Sequence, residues 1–106
     1  MPAKRSPGIN PKAMARQAAQ AASYLKALAN DQRLAILCTL LEGPQSVGQI
    51  NAQVELSQSA LSQHLAVLRE QQLVSTEKEA QTVYYTLSDA RTKQLLKLLH
   101  EHFCAR

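Results

Sequence analysis

Two cysteines and a histidine are the side chains in this 106-residue sequence best suited to chemistry beyond hydrogen bonding. Cys38 lies within LAILCTLLEG, and Cys104 lies near the end, within LLHEHFC. His100 stands four residues before Cys104, so a helix puts the two on one face, while His102 falls elsewhere. Three readings fit these residues. A free thiol can be a small buried hydrophobe and nothing more. Cys38, His100 and Cys104 could be soft ligands for zinc or copper, although no fourth ligand is evident. Two thiols in a reducing cytosol are also a redox pair, because an accessible thiol near a terminus invites oxidation. A structural bridge is the reading least suited to that compartment.

A second kind of chemistry lies in Gln58, Ser59, Ser62, Gln63 and His64. Here amides and hydroxyls stand where a plain surface helix carries Lys and Glu. Small polar groups at a helix start can reach base edges and phosphates without blocking the helix from a groove. Taken alone, they also describe a solvated face, so the surrounding elements decide.

Those elements are legible. Val47, Ile50 and Val54 recur at three and four, and Leu61, Leu65 and Leu68 form a second stripe. Glu55-Leu56-Ser57 between them is only long enough for a turn, and Ser57 is a good N-cap. Leu73 to Leu87 follows directly, with the strand formers Val74, Thr76, Thr82, Val83, Tyr84, Tyr85 and Thr86 around a turn near Glu79-Ala80. Helix-turn-helix followed by a hairpin is the winged-helix arrangement, with a recognition helix for the major groove and a wing along the backbone.

The remaining chain frames this unit. Residues 1–10, with Pro2, Pro7 and Gly8, are expected to form a flexible arm, leaving residues 11–106 as one domain. From Pro11 to Leu28, Met14, Ala18, Ala21, Leu25 and Leu28 make a stripe that suits either a monomer core or a dimer interface. Asn30 or Asp31 caps a helix running to Leu41, with Leu34, Leu37, Cys38 and Leu41 on its apolar face, and Glu42-Gly43-Pro44 stops it. Ser88 is positioned to cap a last helix, Asp89 to Phe103, with Leu95, Leu96, Leu99 and Phe103 as its face. A chain this short buries about two-thirds of its surface alone, so dimerisation would help it.

Charge points the same way. Lys4, Arg5, Lys12, Arg16 and Lys26 make residues 1–30 basic with no acid among them, within a net charge of +4. Such an excess suits a polyanion, but it lies outside the reading helix. No apolar run reaches the roughly 18 residues of a membrane span, and no signal-like segment opens the chain, so a cytoplasmic protein without membrane partners is expected. Gly-rich phosphate loops, paired carboxylates and a nucleophile elbow are missing, and neither Ser59 nor Ser62 has an orienting acid with His64. An enzyme is therefore not expected. A pure protein-interaction module is the other class, and salt- and sequence-dependent DNA binding separates it from a regulator.

LKALANDQRLAIL, SVGQI, LSQSALSQHLAVLREQQLV and the YYTL strand resemble the ArsR/SmtB winged-helix repressors over about Tyr24 to Cys104. The resemblance implies a mainly α fold with a small β-hairpin, five helices plus a wing, and a homodimer built on the first and last helices. It implies operator contacts from Gln58, Ser59, Ser62, Gln63 and His64, and a phosphate contact from Lys78 in the wing. The family's metal sites do not carry over. The thiolate position holds Val47-Gly48-Gln49-Ile50, and the other site aligns with Asp89, Arg91, His102 and Ala105, where two ligands are gone. No metal or other cofactor is therefore expected. LAILCTLLEG, KEAQTVYYTL and LLHEHFC resemble one branch, the thiol-based BigR, SqrR and HlyU-like regulators. That likeness implies that Cys38 and Cys104 respond to reactive sulfur species or oxidants by forming a disulfide or polysulfide link that weakens operator binding.

Overall fold

The computed structural model describes Gly8 and residues 10–104. Asn10 caps α1 (Pro11–Leu28): its Oδ1 accepts from the amides of Lys12 at 3.0 Å and Ala13 at 3.3 Å. Pro11 sits at the first helical position, where its missing amide costs nothing. The arm expected over residues 1–10 lies, apart from Gly8 and Asn10, outside the described residues. Arg33 closes the other end of α1, donating from Nε to the Ala27 carbonyl at 2.6 Å and from Nη2 to the Lys26 carbonyl at 3.1 Å.

Asn30 is the cap of α2 (Asp31–Thr39), accepting from the Arg33 amide at 3.0 Å. The helix stops short of Leu41 and tightens into a 3-10 turn, Leu40–Glu42, before Gly43 takes a φ of 136° that favours glycine. Its buried side chains are Ile36 and Leu37, followed by Leu40 in the turn, while Leu34, Cys38 and Leu41 are half-buried. The expected stripe was thus too narrow. Helix α2 packs against α1, α3 and α4, and a helix with neighbours on several sides buries more than one row.

Strand β1 (Gln45–Ser46) then pairs with the hairpin, which the sequence reading lacked. Two residues are too short to show alternation. Helix α3 (Val47–Gln53) opens with a capping box, Ser46 Oγ accepting from the Gln49 amide at 3.2 Å and Gln49 Oε1 accepting from the Ser46 amide at 2.9 Å. Helix α4 (Gln58–Glu70) follows with Ser57 Oγ accepting from the Ala60 amide at 3.1 Å, as its position suggested. Leu61, Leu65 and Leu68 are buried, and with Ile50, Val54 and α2 they make the core of the helix-turn-helix.

Strands β2 (Val74–Glu79) and β3 (Thr82–Leu87) form the hairpin, turning at Ala80-Gln81, and the sheet order is β1-β3-β2, all antiparallel. The hairpin is aimed by the way α4 ends. The Leu73 amide donates to the Leu68 carbonyl at 2.9 Å and the Gln72 amide to the Arg69 carbonyl at 3.0 Å, a Schellman motif with both leucines buried. Gln72 occupies the left-handed position, at φ 63°, where glycine is usual. An L-residue there costs about 1–2 kcal/mol, and glycine gives back about 0.4–1 kcal/mol in the unfolded chain. Gln72→Gly is therefore expected to raise the unfolding free energy by about 0.5–1 kcal/mol. Urea titration at one fixed protein concentration checks this, and a lowered midpoint would contradict it.

Helix α5 (Ala90–Phe103) is capped by Asp89 rather than Ser88. The Asp89 carboxylate accepts from the Arg91 amide at 2.9 Å, while Ser88 Oγ donates to the Gln72 carbonyl at 2.8 Å and fastens the end of β3 to the end of α4. Thr92 and Leu96 are the buried residues of α5, and Tyr24 Oη lies 2.8 Å from Thr92 Oγ1, joining α1 to α5. Leu95 and Leu99 are only half-buried, and Phe103 is 82% exposed. Along α1, Met14 and Leu25 are 61% and 54% exposed, and only Ala27 and Leu28 are buried. Both terminal helices therefore present apolar residues that this protomer does not cover. No described helix is long and apolar enough to cross a membrane.

Candidate nucleic-acid interface and thiol pair

Burial of Leu61, Leu65 and Leu68 turns the opposite side of α4 outward. Gln58, Ser59, Ser62 and Gln63 are all exposed there, in the first half of the helix. Ser59 Oγ lies 3.3 Å from the cap Ser57 Oγ, so part of its hydrogen-bonding capacity is local. The amides of Gln58 and Gln63 and the hydroxyl of Ser62 have their faces open to an incoming acceptor or donor. The α3–α4 turn that sets this exposure is held by Asn51, whose Nδ2 donates to the Leu56 carbonyl at 2.9 Å.

His64 differs from its neighbours. It is half-buried, and its Nε2 lies 2.8 Å from Gln32 Oε1 of α2, an amide oxygen that accepts a hydrogen bond from the ring. Lys78 stands apart from α4, exposed on β2 opposite Val83 and flanked along the strand by Glu77 and Glu79. Its ammonium is thus free to meet a phosphate, within a wing tip that is otherwise acidic. The structure gathers Gln58, Ser59, Ser62 and Gln63 on one surface, turns His64 toward α2 and carries Lys78 on a separate element.

The thiols form the second site. Cys38 is half-buried near the end of α2, and Cys104 is exposed just past α5, where its amide donates to the His100 carbonyl at 2.9 Å. Both thiols are free. Burial pushes the Cys38 thiol above its ordinary range, and the charge of an ionised Cys104 raises it further. That influence of Cys104 on Cys38 runs across the gap between α2 and α5. An open cleft of about 650 Å³ adjoins Cys38, lined by Leu41 and Glu42 on one side and by Lys97, Leu98 and His100 among others on α5. Cys38 lines this cleft, which opens to solvent.

A metal set does not assemble around these residues. Among the described residues, no three His, Cys, Asp or Glu side chains come together to hold an ion, so Cys38, His100 and Cys104 do not converge. At the other aligned position, Asp89 is occupied by Arg91, whose Nη2 lies 2.8 Å from Oδ2. The hydrogen bond from that guanidinium holds the Asp89 carboxyl below its usual range. Arg91 also stacks over the Tyr24 ring, 5.1 Å from its centroid. Ala105 lies outside the described residues.

Sequence reasoning missed Gln32 as the partner of His64 and Lys97 as a cleft residue. Gln32 carried no signal, because its partner is 32 residues away and only tertiary packing joins them.

The profile for "Bacterial regulatory protein, arsR family" matches residues 30–76, from the cap of α2 into β2. The transcriptional activator HlyU of Vibrio cholerae is 51% identical over 104 residues, covering 98% of this chain and 96% of its own length. The solved structure of reduced HlyU from Vibrio cholerae superposes with a TM-score of 0.82 at 54% identity, over 88% of this chain and 98% of that one. The transcriptional repressor BigR from Xylella fastidiosa gives 0.83 at 38% identity, over 92% and 100%. Likeness of this extent, in sequence as well as in fold, shows that the chain belongs to the ArsR family of DNA-binding transcriptional regulators and is not an enzyme.

Proposed function

We propose that a homodimer of this chain binds a two-fold operator through α4 and releases it when Cys38 and Cys104 become linked. The observation that carries the switch is the thiol pair itself, two free cysteines, one half-buried on α2 beside a cleft that His100 also lines and the other four residues past His100 at the end of α5. In a reducing cytoplasm the resting state is the dithiol, and the inducer is a reactive sulfur species or an oxidant.

The chemistry balances without a cofactor. One cysteine thiolate attacks the sulfane sulfur of a persulfide RSSH, giving a cysteine persulfide and the thiol RSH. The second cysteine then attacks the inner sulfur of that persulfide, forming Cys–S–S–Cys and expelling hydrogen sulfide. Two thiols are oxidised, the sulfane sulfur is reduced, and two cysteines plus RSSH yield the disulfide, RSH and hydrogen sulfide. Where a longer polysulfide leaves the first cysteine as Cys–S–S–SH, attack on the sulfur next to the terminal one expels hydrogen sulfide and leaves a trisulfide link. A peroxide reaches the same disulfide through a sulfenic acid, with two waters as products.

The link ties α2, which leads into the helix-turn-helix, to α5, which carries apolar surface left uncovered by its own protomer. A dimer reads half-sites about one turn of DNA apart, roughly 34–36 Å, so a small shift of one element misplaces both copies of α4. Loss of binding has the regulatory sign set by what else occupies the operator. Relatives named as an activator and as a repressor are both compatible with one release step.

On this reading, Gln58, Ser59, Ser62 and Gln63 face the bases and Lys78 meets a phosphate. Ser62→Ala and Gln63→Ala should each cost about 1–3 kcal/mol on operator DNA and much less on random DNA. Lys78→Ala should weaken both alike and lower the salt slope by about one. The measurement is fluorescence anisotropy on a fragment selected from random-sequence DNA by the reduced protein. Equal losses on both DNAs for the α4 variants would remove that helix as the reader.

A further inference from the structure

We propose that His64 is a positioning residue, and that its bond to Gln32 carries the state of Cys38 to the reading helix. This rests on the reading of α4 as the DNA reader and of the thiol pair as the switch. Helix α2 holds both ends of the connection, Gln32 in its first turn and Cys38 in its last. At 1.5 Å per residue the two are about 9 Å apart along one stiff helix. Between them, Ile36 and Leu37 are fully buried against the core. A helix pinned at its middle moves at both ends when one end is pulled. A link from Cys38 to Cys104 pulls the last turn of α2 toward α5, and the first turn must answer.

The answer reaches α4 at His64. The Nε2–H of His64 donates to Gln32 Oε1 at 2.8 Å, and it is the one side-chain hydrogen bond between α2 and α4 among the described residues. The apolar contacts of Leu61, Leu65 and Leu68 with the core set how deep α4 sits. They lie along one stripe, so a contact off that stripe gives the rotation of α4 about its axis a second anchor. A polar strut on the flank of that stripe sets the rotation. His64 follows Gln63 directly and stands two residues from Ser62, so turning it swings both proposed base-reading groups. The connection also accounts for a half-buried imidazole on a helix whose other polar residues are exposed.

The test is a double-mutant cycle on the switch ratio, the operator Kd after sodium tetrasulfide divided by the Kd of the dithiol protein. Wild type, Gln32→Ala, His64→Ala, the double variant and Gln32→Glu are compared by anisotropy, with circular dichroism as the check on folding. Each alanine variant should lower the ratio about two- to tenfold, the range expected for one hydrogen bond. The double variant should fall no further than either single one, because both remove the same strut. Gln32→Glu keeps an acceptor oxygen in place and should retain the wild-type ratio. Additive losses, an unchanged ratio in Gln32→Ala, or a Gln32→Glu that behaves like Gln32→Ala would overturn the relay while leaving the thiol switch standing. Should His64→Ala weaken only dithiol binding while Gln32→Ala changes nothing, His64 is a base contact and the relay is wrong. A wild type that ignores tetrasulfide would overturn the switch and the relay together. If His64→Ala fails to fold, the two substitutions at exposed Gln32 decide alone.

Discussion

Met14→Glu and Leu25→Glu are each expected to lower operator affinity by about 10²- to 10⁴-fold, the avidity two joined modules lose when separated. Both residues lie on α1, 61% and 54% exposed in the single protomer, so a glutamate at either position leaves the protomer core intact. In the proposed dimer the same carboxylate is taken out of water against the apolar surface of a second copy, at a cost large enough to neutralise it or expel it. Phe103, 82% exposed on α5, is another apolar side chain that the single protomer leaves uncovered. Sedimentation should show a dimer for the wild type at micromolar concentration and a folded monomer for the variants. A wild type that sediments as a folded monomer would remove two-fold operator reading.

Cys38→Ser and Cys104→Ser should each bind operator as the dithiol wild type does and should each fail to release it with polysulfide. The wild type should lose affinity some 5- to 150-fold, the span of a coupling of about 1–3 kcal/mol. Serine keeps the size of the side chain but offers no sulfur for the second attack, so the chemistry stops at a persulfide on the remaining cysteine. His100→Ala should leave release intact, since the imidazole takes no part in the link. In a metal switch the loss of any ligand weakens the response. Running the four proteins with chelator, with zinc and with polysulfide separates the two. Release by zinc that requires His100, with indifference to polysulfide, would favour the metal.

Helix α4 was legible because its signals are local and agree with one another. Leu61, Leu65 and Leu68 are spaced for one face and all three are buried, and Ser57 caps as its side chain permits. Asn30 and Pro11 mark their helix starts for the same kind of reason. The winged-helix class followed from element order. What failed was set by distant partners. Whether Ser88 or Asp89 caps α5 depends on the Gln72 carbonyl, which claims the serine hydroxyl from across the fold. Two-residue β1 exists only because β3 lies beside it. The apolar stripe of α5 showed in its spacing, but periodicity cannot say whose core it fills, and Leu96 and Phe103 proved to have opposite fates. Of the thiol pair, the sequence showed the two residues. The influence of Cys104 on Cys38 and the cleft beside Cys38 come from packing α2 near α5.

Joining Cys38 to Cys104 is what should release DNA. The most direct measurement takes anisotropy and peptide mass spectrometry from the same samples across one polysulfide titration. The fraction of DNA released should track the fraction of a cross-linked peptide pair containing Cys38 and Cys104, and a reductant should reverse both. The added mass counts the sulfur atoms in the link. DNA release that runs ahead of any cross-linked peptide, or a fully linked protein that still holds its operator, would rule out the link as the switch.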